Sequence, residues 1–312
     1  MAVSVALDVG GTNIKMALVH QGEILESLSL PVEDNHLLGP LLPVLEQNIN
    51  QLLSHTQESL AGIGFAFPCI VDSNENKILS DYVKYQDINS LDLGQWAAEK
   101  WSTKIQLEND ARAALVGEWQ YGAGKGYDNL VQVTMGTGIG SAALIDGKLI
   151  RGRHYMAGNL GGHMTIDFEG DVCNCGNIGC VEAVASTWSL AEKVQSWEGF
   201  QDSLLSRRET IDFESVFKCV EESDPFAQKV LDHCIRAWSF SMINLVHAFD
   251  PECIIVGGGI ARSNHILLPK FHEMINKHTW LPEDSVTFKS AEYKDSAALM
   301  GLDYLIINQN EI

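Results

Sequence analysis

The residues with the clearest chemistry lie in one short stretch. His163 is followed after nine residues by Cys173-Asn174-Cys175-Gly176-Asn177-Ile178-Gly179-Cys180, three thiols on a loop broken by two glycines. One imidazole and three thiolates form the donor set of a closed tetrahedral zinc site, and Gly176 and Gly179 let the loop bend so that the sulfurs converge. The alternative is three free cysteines on a surface loop. Four protein ligands leave no position for a reactive water, so the expected zinc is structural and zinc-dependent hydrolysis is disfavoured.

Three glycine turns form a second set. Asp8-Val9-Gly10-Gly11-Thr12 and Met135-Gly136-Thr137-Gly138-Ile139-Gly140 each sit between two apolar stretches. Turns without side chains let backbone N–H groups approach phosphate oxygens, with Thr12 as an added donor and Asp8 placed to orient Mg²⁺ through water. Read alone, either is also an ordinary hairpin turn; two in similar settings favour phosphate. Neither is a Walker A loop, because no Gly-Lys-Ser/Thr follows, and neither is a dinucleotide fingerprint, because strand rather than helix follows. Gly257-Gly258-Gly259 follows an apolar run and fits either a passage under an adenine or a plain strand-to-helix turn. Glu108-Asn109-Asp110 stands between a short strand and a helix. Asp110 there is either a base accepting a hydroxyl proton or the N-cap of the helix.

The elements that position these groups alternate between strand and helix. Val3, Val5 and Leu7 share one face of a strand, residues 14–19 run back, and a third stretch ends near Leu30. Leucine spacing predicts a helix over 37–53, a buried strand over 63–66 stopped by Pro68, a strand over 105–107 and a helix over 111–121. The pattern then repeats: strand at 130–134, glycine turn, strand at 141–145, with Asp146-Gly147 turning the chain. Helices are predicted over 183–197, 225–249 and 297–307, and a strand over 253–256. The two glycine-bent hairpins indicate two related halves sharing a cleft.

The chain has 312 residues, 46% of them apolar, enough for about two domains. A net charge of −20, from 21 Lys and Arg against 41 Asp and Glu, argues against a nucleic-acid partner, whose phosphates require basic patches. An anionic nucleotide held by backbone N–H groups and Mg²⁺ is compatible with it. No stretch has the length of a membrane helix and the N-terminus lacks the pattern of a signal peptide, so a cytoplasmic protein without membrane partners is expected. Crowding of three of the seven cysteines in a reducing compartment also favours metal over disulfides. Cys69, Cys219, Cys234 and Cys253 read as packing residues.

Together, DVGGTNIK at 8–15, GIGFAFPCIVD at 62–72, LENDARAALVGEW at 107–119, MGTGIGSA at 135–142, GHMTID at 162–167, CNCGNIGCVEAVAS at 173–186 and DPECIIVGGGIA at 250–261 resemble the ROK family of repressors and sugar kinases over nearly the whole chain. The resemblance implies an α/β, actin-like ATPase (ribonuclease H-like) fold of two lobes with a zinc-stapled loop. The first lobe is expected over 1–117, completed by a C-terminal helix near 295–312, and the larger lobe over 118–294 with the zinc loop at 163–180. It implies ATP in the cleft on Gly10, Gly11, Thr12, Asn13, Gly136, Thr137, Gly138, Gly140, Gly258 and Gly259. Asp110 matches the family's catalytic base, and Asn109, His163 and Glu182 match positions that hold sugar hydroxyls. His163 would serve zinc with one ring nitrogen and sugar with the other, and the zinc loop would hold Glu182.

Three departures lie on the sugar side. Leu160 stands three residues before His163, where the family has Glu, which loses a sugar contact or passes it to Asn159. Pro68-Cys69 replaces Pro-Gly, and no Pro-Asn-Leu segment occurs near residues 80–83. The expected function is ATP-dependent phosphorylation of a hydroxyl of a hexose or N-acetylhexosamine, glucokinase-like or N-acetylhexosamine-kinase-like, in a homodimer. The alternatives are a sugar-binding regulator without turnover and a repressor-type sensor. The sensor is disfavoured by the charge and by the seven residues that precede Asp8.

Overall fold

The computed structural model describes residues 2–32, 37–82, 84–293 and 295–308. The chain divides into two compact units, one of residues 1–126, 147–159 and 292–312, the other of residues 127–146 and 160–291.

In the first unit, β1 (Ala2–Val9) and β2 (Asn13–His20) form the hairpin that carries the first glycine turn, and β3 (Glu23–Pro31) continues the antiparallel ladder. After α1 (Leu42–Leu53), β4 (Ser59–Phe67) lies parallel to β1. A small β5 (Val71–Asp72) and β6 (Lys77–Ile78) hairpin and α2 (Leu93–Trp101) lead to β7 (Ile105–Asn109), parallel to β4, and then to α3 (Asp110–Tyr121). The sheet order is β3-β2-β1-β4-β7. Fully buried Val5, Leu7, Ile14, Met16, Ile63 and Phe65 pack one face of this sheet onto Leu45, Ile49 and Leu52 of α1. The helix predicted over 37–53 is shorter, because Pro40 and Pro43 hold the entry in a 3₁₀ turn and the helix begins at Leu42; residues 33–36 lie outside the described residues.

The second unit repeats this arrangement. β8 (Leu130–Met135) and β9 (Ile139–Ile145) form the hairpin of the second glycine turn, and the two-residue β10 (Lys148–Leu149) follows in the 147–159 segment that belongs to the first unit. The cysteine-rich loop leads to α4 (Val181–Ala185), α5 (Thr187–Gln195), α6 (Phe213–Glu221) and α7 (Pro225–Phe249). β11 (Cys253–Gly257) returns parallel to β8, followed by α8 (Asn264–His278) and β12 (Thr287–Ser290), parallel to β11. Within this unit the order β9-β8-β11-β12 matches the order β2-β1-β4-β7 of the first sheet strand for strand. Among the described residues no helix is long and apolar enough to cross a membrane, although α7 runs for 25 residues.

The closing helix α9 (Ala297–Ile307) belongs to the first unit and packs against α3 at a glycine crossing. A Cβ on Gly117 would lie 2.0 Å from the Ala297 carbonyl oxygen, and one on Gly301 would lie 1.9 Å from that of Ala113. This contact carries the first unit past the boundary expected at 117: α3 runs to Tyr121, and the buried Glu118 carboxylate then accepts N–H groups of Ala123, Glu292 and Tyr293. Residues 147–159 also group with the first unit. The buried Arg112 guanidinium donates to the carbonyls of Tyr155 and Ala157 at 2.9 Å each, while Arg151 forks onto buried Glu108. Residues 309–312 of the expected C-terminal segment lie outside the described residues.

Candidate functional site

In the first unit the junction of β7 and α3 places Asn109 and Asp110 side by side. The N-cap of α3 is Asn109, not Asp110: the Asn109 Oδ1 accepts the Arg112 N–H at 3.2 Å. Extended backbone at Asn109, φ −66° and ψ 141°, puts the cap on the last strand residue, so Asp110 is the first helical residue. The Asn109 amide also donates to the carbonyls of Phe67 and Cys69 and to Asp110 Oδ1, tying this junction to the end of β4. Asp110 Oδ1 further accepts the Ala111 N–H at 2.8 Å. Burial pushes the Asp110 carboxyl above its ordinary range, against these hydrogen bonds, which lower it. A carboxyl relieved of capping and raised by burial is suited to accepting a proton.

Asp8 sits at the end of β1, opposite Lys15 in the β1–β2 ladder. Burial and then the Asp110 charge raise its carboxyl from 3.8 to about 6, against the attraction of Lys15. The turn after it is strapped from outside. The buried Tyr85 hydroxyl donates to the Gly10 carbonyl at 2.9 Å, and a Cβ on Gly11 would meet the Tyr82 hydroxyl at 3.0 Å and the Lys84 stem at 3.1 Å. Thr12 and Asn13 are exposed beside them. Tyr82, Lys84 and Tyr85 thus occupy the region where the Pro-Asn-Leu segment is missing; Val83 lies outside the described residues. No sequence motif marks these three residues. Cys69 is buried, and burial pushes its thiol up to about 12, which removes it as a nucleophile.

The raised Asp8 gives a pH prediction. Between about pH 4 and pH 6 the folded chain keeps a proton on Asp8 that the unfolded chain releases. This group's contribution to stability is therefore fullest below the ordinary value of 3.8 and is lost as pH rises through about 6. A carboxyl titration followed by NMR should place Asp8 near 6, and Lys15→Met should move it higher.

In the second unit the two remaining glycine turns meet at the ends of the paired strands β8 and β11. Gly258 holds φ +87°, and a Cβ there would lie 2.3 Å from the Met135 carbonyl oxygen, so no other residue fits without displacement. The Cβ position of Gly136 is 4.0 Å from the Gly259 nitrogen. The 136–138 turn is closed by the Gly136 N–H on the Gly138 carbonyl at 2.9 Å, and strand resumes at Ile139, so Gly140 lies within β9.

The four expected zinc ligands converge: their donor atoms all lie within 4.8 Å of one another. Cys175 Sγ and Cys180 Sγ are 3.8 Å apart, and Cys173 Sγ is 3.7 Å from His163 Nδ1. Zinc–sulfur bonds of about 2.3 Å in a tetrahedron give ligand edges of about 3.8 Å, so the donor set fits Zn²⁺ in spacing as well as in type. Nδ1 faces the thiols, and Nε2 lies on the other edge of the imidazole. Asn177 supports the loop by donating to the His163 carbonyl, Thr165 Oγ1 and Cys180 Sγ. Cys180 is the cap residue of α4, and Glu182 follows in its first turn, 8% exposed. The Glu182 Oε2 accepts the Ile139 N–H at 2.7 Å, and its Oε1 accepts the Trp188 indole N–H at 3.2 Å. The single helix predicted over 183–197 is two helices, broken at Ser186 with φ −108° and ψ 166°. Asn159, which ends the 147–159 segment of the first unit, is buried, and its amide oxygen accepts no hydrogen bond.

The ROK family profile matches residues 4–309. A glucokinase of Halalkalibacterium halodurans is 31% identical over 98% of this chain and 95% of that protein. The xylose repressor of Bacillus subtilis is 26% identical over 98% of this chain and 77% of that protein. A glucokinase of Streptomyces griseus, solved in complex with glucose and AMPPNP, superposes with a TM-score of 0.78 at 24% identity over 97% of this chain and 98% of that one. That superposition and the twice-repeated mixed sheet support an actin-like ATPase fold. Glucokinases and xylose repressors thus both stand among the relatives, and a match across all but the ends of the sequence shows that the chain belongs to the ROK family.

Proposed function

We propose that this chain is an ATP-dependent kinase that phosphorylates a hydroxyl of a hexose or N-acetylhexosamine. The observation that carries the reading is Asp110: a carboxylate freed from capping by Asn109, raised by burial, and close enough to Asp8 of the first glycine turn to raise that group as well. Phosphoryl transfer asks the protein mainly for positioning and charge stabilisation, with a carboxylate to take the hydroxyl proton. In the proposed step the sugar oxygen bonds to the γ-phosphorus as its proton passes to Asp110. The bond from phosphorus to the bridging oxygen breaks, and ADP leaves with that electron pair.

The nucleotide phosphates are assigned to backbone N–H groups of Gly10, Gly11, Thr12, Asn13 and of the turn at Gly136, Thr137, Gly138 and Gly140, and the base to Gly258 and Gly259. Asp8 is assigned to the water shell of Mg²⁺, whose charge offsets that of the phosphates. Asn109, Asn159, His163 through Nε2, and Glu182 are assigned to the sugar. The orphaned amide oxygen of Asn159 supports its place there, since a buried acceptor without a donor is costly unless a ligand supplies one. His163, Cys173, Cys175 and Cys180 would hold Zn²⁺ as a staple, with no open position for substrate.

The test is sugar-dependent ADP release from Mg-ATP across hexoses and N-acetylhexosamines. Turnover with one of them supports the kinase. Sugar binding by calorimetry without turnover supports a sensor instead, the reading that the repressor relatives favour and the charge of −20 opposes on DNA. The turn assignment has its own expected result. A Cβ on Gly138 would lie 2.6 Å from Glu182 Oε2, so Gly138→Val displaces either the turn or that carboxylate. ATP affinity measured by calorimetry should fall by about 10-fold or more, the scale of one or two lost phosphate hydrogen bonds. Normal affinity would remove this turn from the phosphates.

A further inference from the structure

The segment that follows the zinc ligands grips the second glycine turn from one side. Glu182 bonds Ile139 at 2.7 Å through Oε2 and is itself steadied by the Trp188 indole through Oε1. The break at Ser186 exposes the first N–H groups of α5, which a helix leaves without internal partners. Here they point at the turn: the Thr187 N–H donates to the Gly136 carbonyl at 3.2 Å and the Trp188 N–H to the Thr137 carbonyl at 3.2 Å. The Thr187 hydroxyl adds a bond of 2.8 Å to the Gly136 carbonyl. Backbone groups of Gly136, Thr137 and Ile139 are therefore all held by residues 182–188. The start of that segment is fixed in turn by the metal loop, because Ala183 packs in one buried cluster with Cys173 and Cys180.

We propose that Glu182 is a positioning residue for the nucleotide turn, its carboxylate locked between the Ile139 N–H and the Trp188 indole so that the N–H groups of Thr137 and Gly138 are presented together to phosphate. This rests on the reading of the 136–140 turn as a nucleotide site. It gives Glu182 an action on nucleotide affinity that a sugar contact alone does not have. It also gives the zinc loop a path to that affinity, through Cys180 and α4. The anchor is a hydrogen bond to a charged acceptor, the stronger kind, and it is buried.

The experiment measures ATP affinity by calorimetry without sugar, together with amide exchange at Ile139, in the wild type, Glu182→Ala, Glu182→Gln and Trp188→Phe, each checked for zinc content and thermal midpoint. Glu182→Ala should weaken ATP by about 10-fold or more and speed exchange at Ile139. Glu182→Gln keeps an acceptor for Ile139 and removes a negative charge near the phosphates, so its affinity should equal or exceed that of the wild type. Trp188→Phe, which leaves the backbone grip intact, should cause a loss of a few fold and serves if Glu182→Ala does not fold. Unchanged ATP affinity in Glu182→Ala with weakened sugar binding overturns the proposal, as does an equal loss in the Ala and Gln variants. Faster Ile139 exchange in Glu182→Ala, in a chain whose wild type binds no nucleotide, would keep the grip and defeat the kinase reading instead; unchanged exchange defeats the grip itself.

Discussion

Asp110→Asn is expected to lower kcat by about 10²-fold or more and to leave the fold intact. The amide keeps the size of the side chain and an oxygen for the Ala111 N–H, which Asp110 Oδ1 accepts at 2.8 Å. It does not take a proton from a sugar hydroxyl, and loss of a general base costs about 10²–10⁴-fold. Two structural facts sharpen the expectation. The cap of α3 belongs to Asn109, so capping is untouched, and only the small favourable effect of an acid in the first helical turn is lost, about 0.3–1 kcal/mol. Burial raises the Asp110 carboxyl, so its charged form costs folding free energy at neutral pH, and the neutral amide relieves that cost. Stability unchanged or slightly raised with turnover lost is thus the expected pair, the pattern of a residue kept for function. A second readout is independent of turnover. Because the Asp110 charge is one cause of the raised Asp8 carboxyl, Asp110→Asn should move the Asp8 titration down from about 6. Full activity in this variant would remove Asp110 from the mechanism, and an unmoved Asp8 would separate the two carboxyls.

The parts of the site legible in the sequence are those whose geometry is local. Cysteines and a histidine at short spacing around two glycines converge almost wherever the loop lies, and glycines between two β-patterned runs make tight turns by sterics alone. α7 and α9 read cleanly because their apolar spacing is long and uninterrupted. α6 was missed although Asp212 and Ser215 form a reciprocal capping box, a signal visible in the sequence. α8 was hidden by Pro269 inside it, and β12 by being a four-residue edge strand. No local pattern marks Arg112 as buried. It is fully buried because the nearby Glu108 carboxylate and, from distant sequence, the carbonyls of residues 151, 155 and 157 converge on it. The break at Ser186 and the cap at Asn109 likewise depend on partners that no local pattern names: the carbonyls of the glycine turn for one, and the end of β4 for the other.

Removal of the metal should produce the largest loss of stability. Cys173 and Cys180 are buried and Cys175 is exposed, so Cys175→Ser tests the metal with little packing change of its own. Burial, aided by the neighbouring thiols, pushes the Cys173 thiol up to about 12 without a metal, and a bound cation would offset the cost of gathering three thiolates here. The free energy of binding a structural zinc is folding free energy. Loss of one of four ligands should cost at least about 2 kcal/mol, roughly 4–8 °C in the thermal midpoint of a unit of this size. The wild-type chain should carry one zinc by elemental analysis and Cys175→Ser much less. The loop bears on both substrates in the proposed scheme, with His163 Nε2 on the sugar and α4 holding the glycine turn, so both affinities should fall with the melting temperature. A catalytic metal predicts the opposite division, activity lost with the midpoint unchanged. A wild type free of zinc, melting no differently with and without a chelator, would leave the cluster as four packed side chains and detach α4 from any metal control.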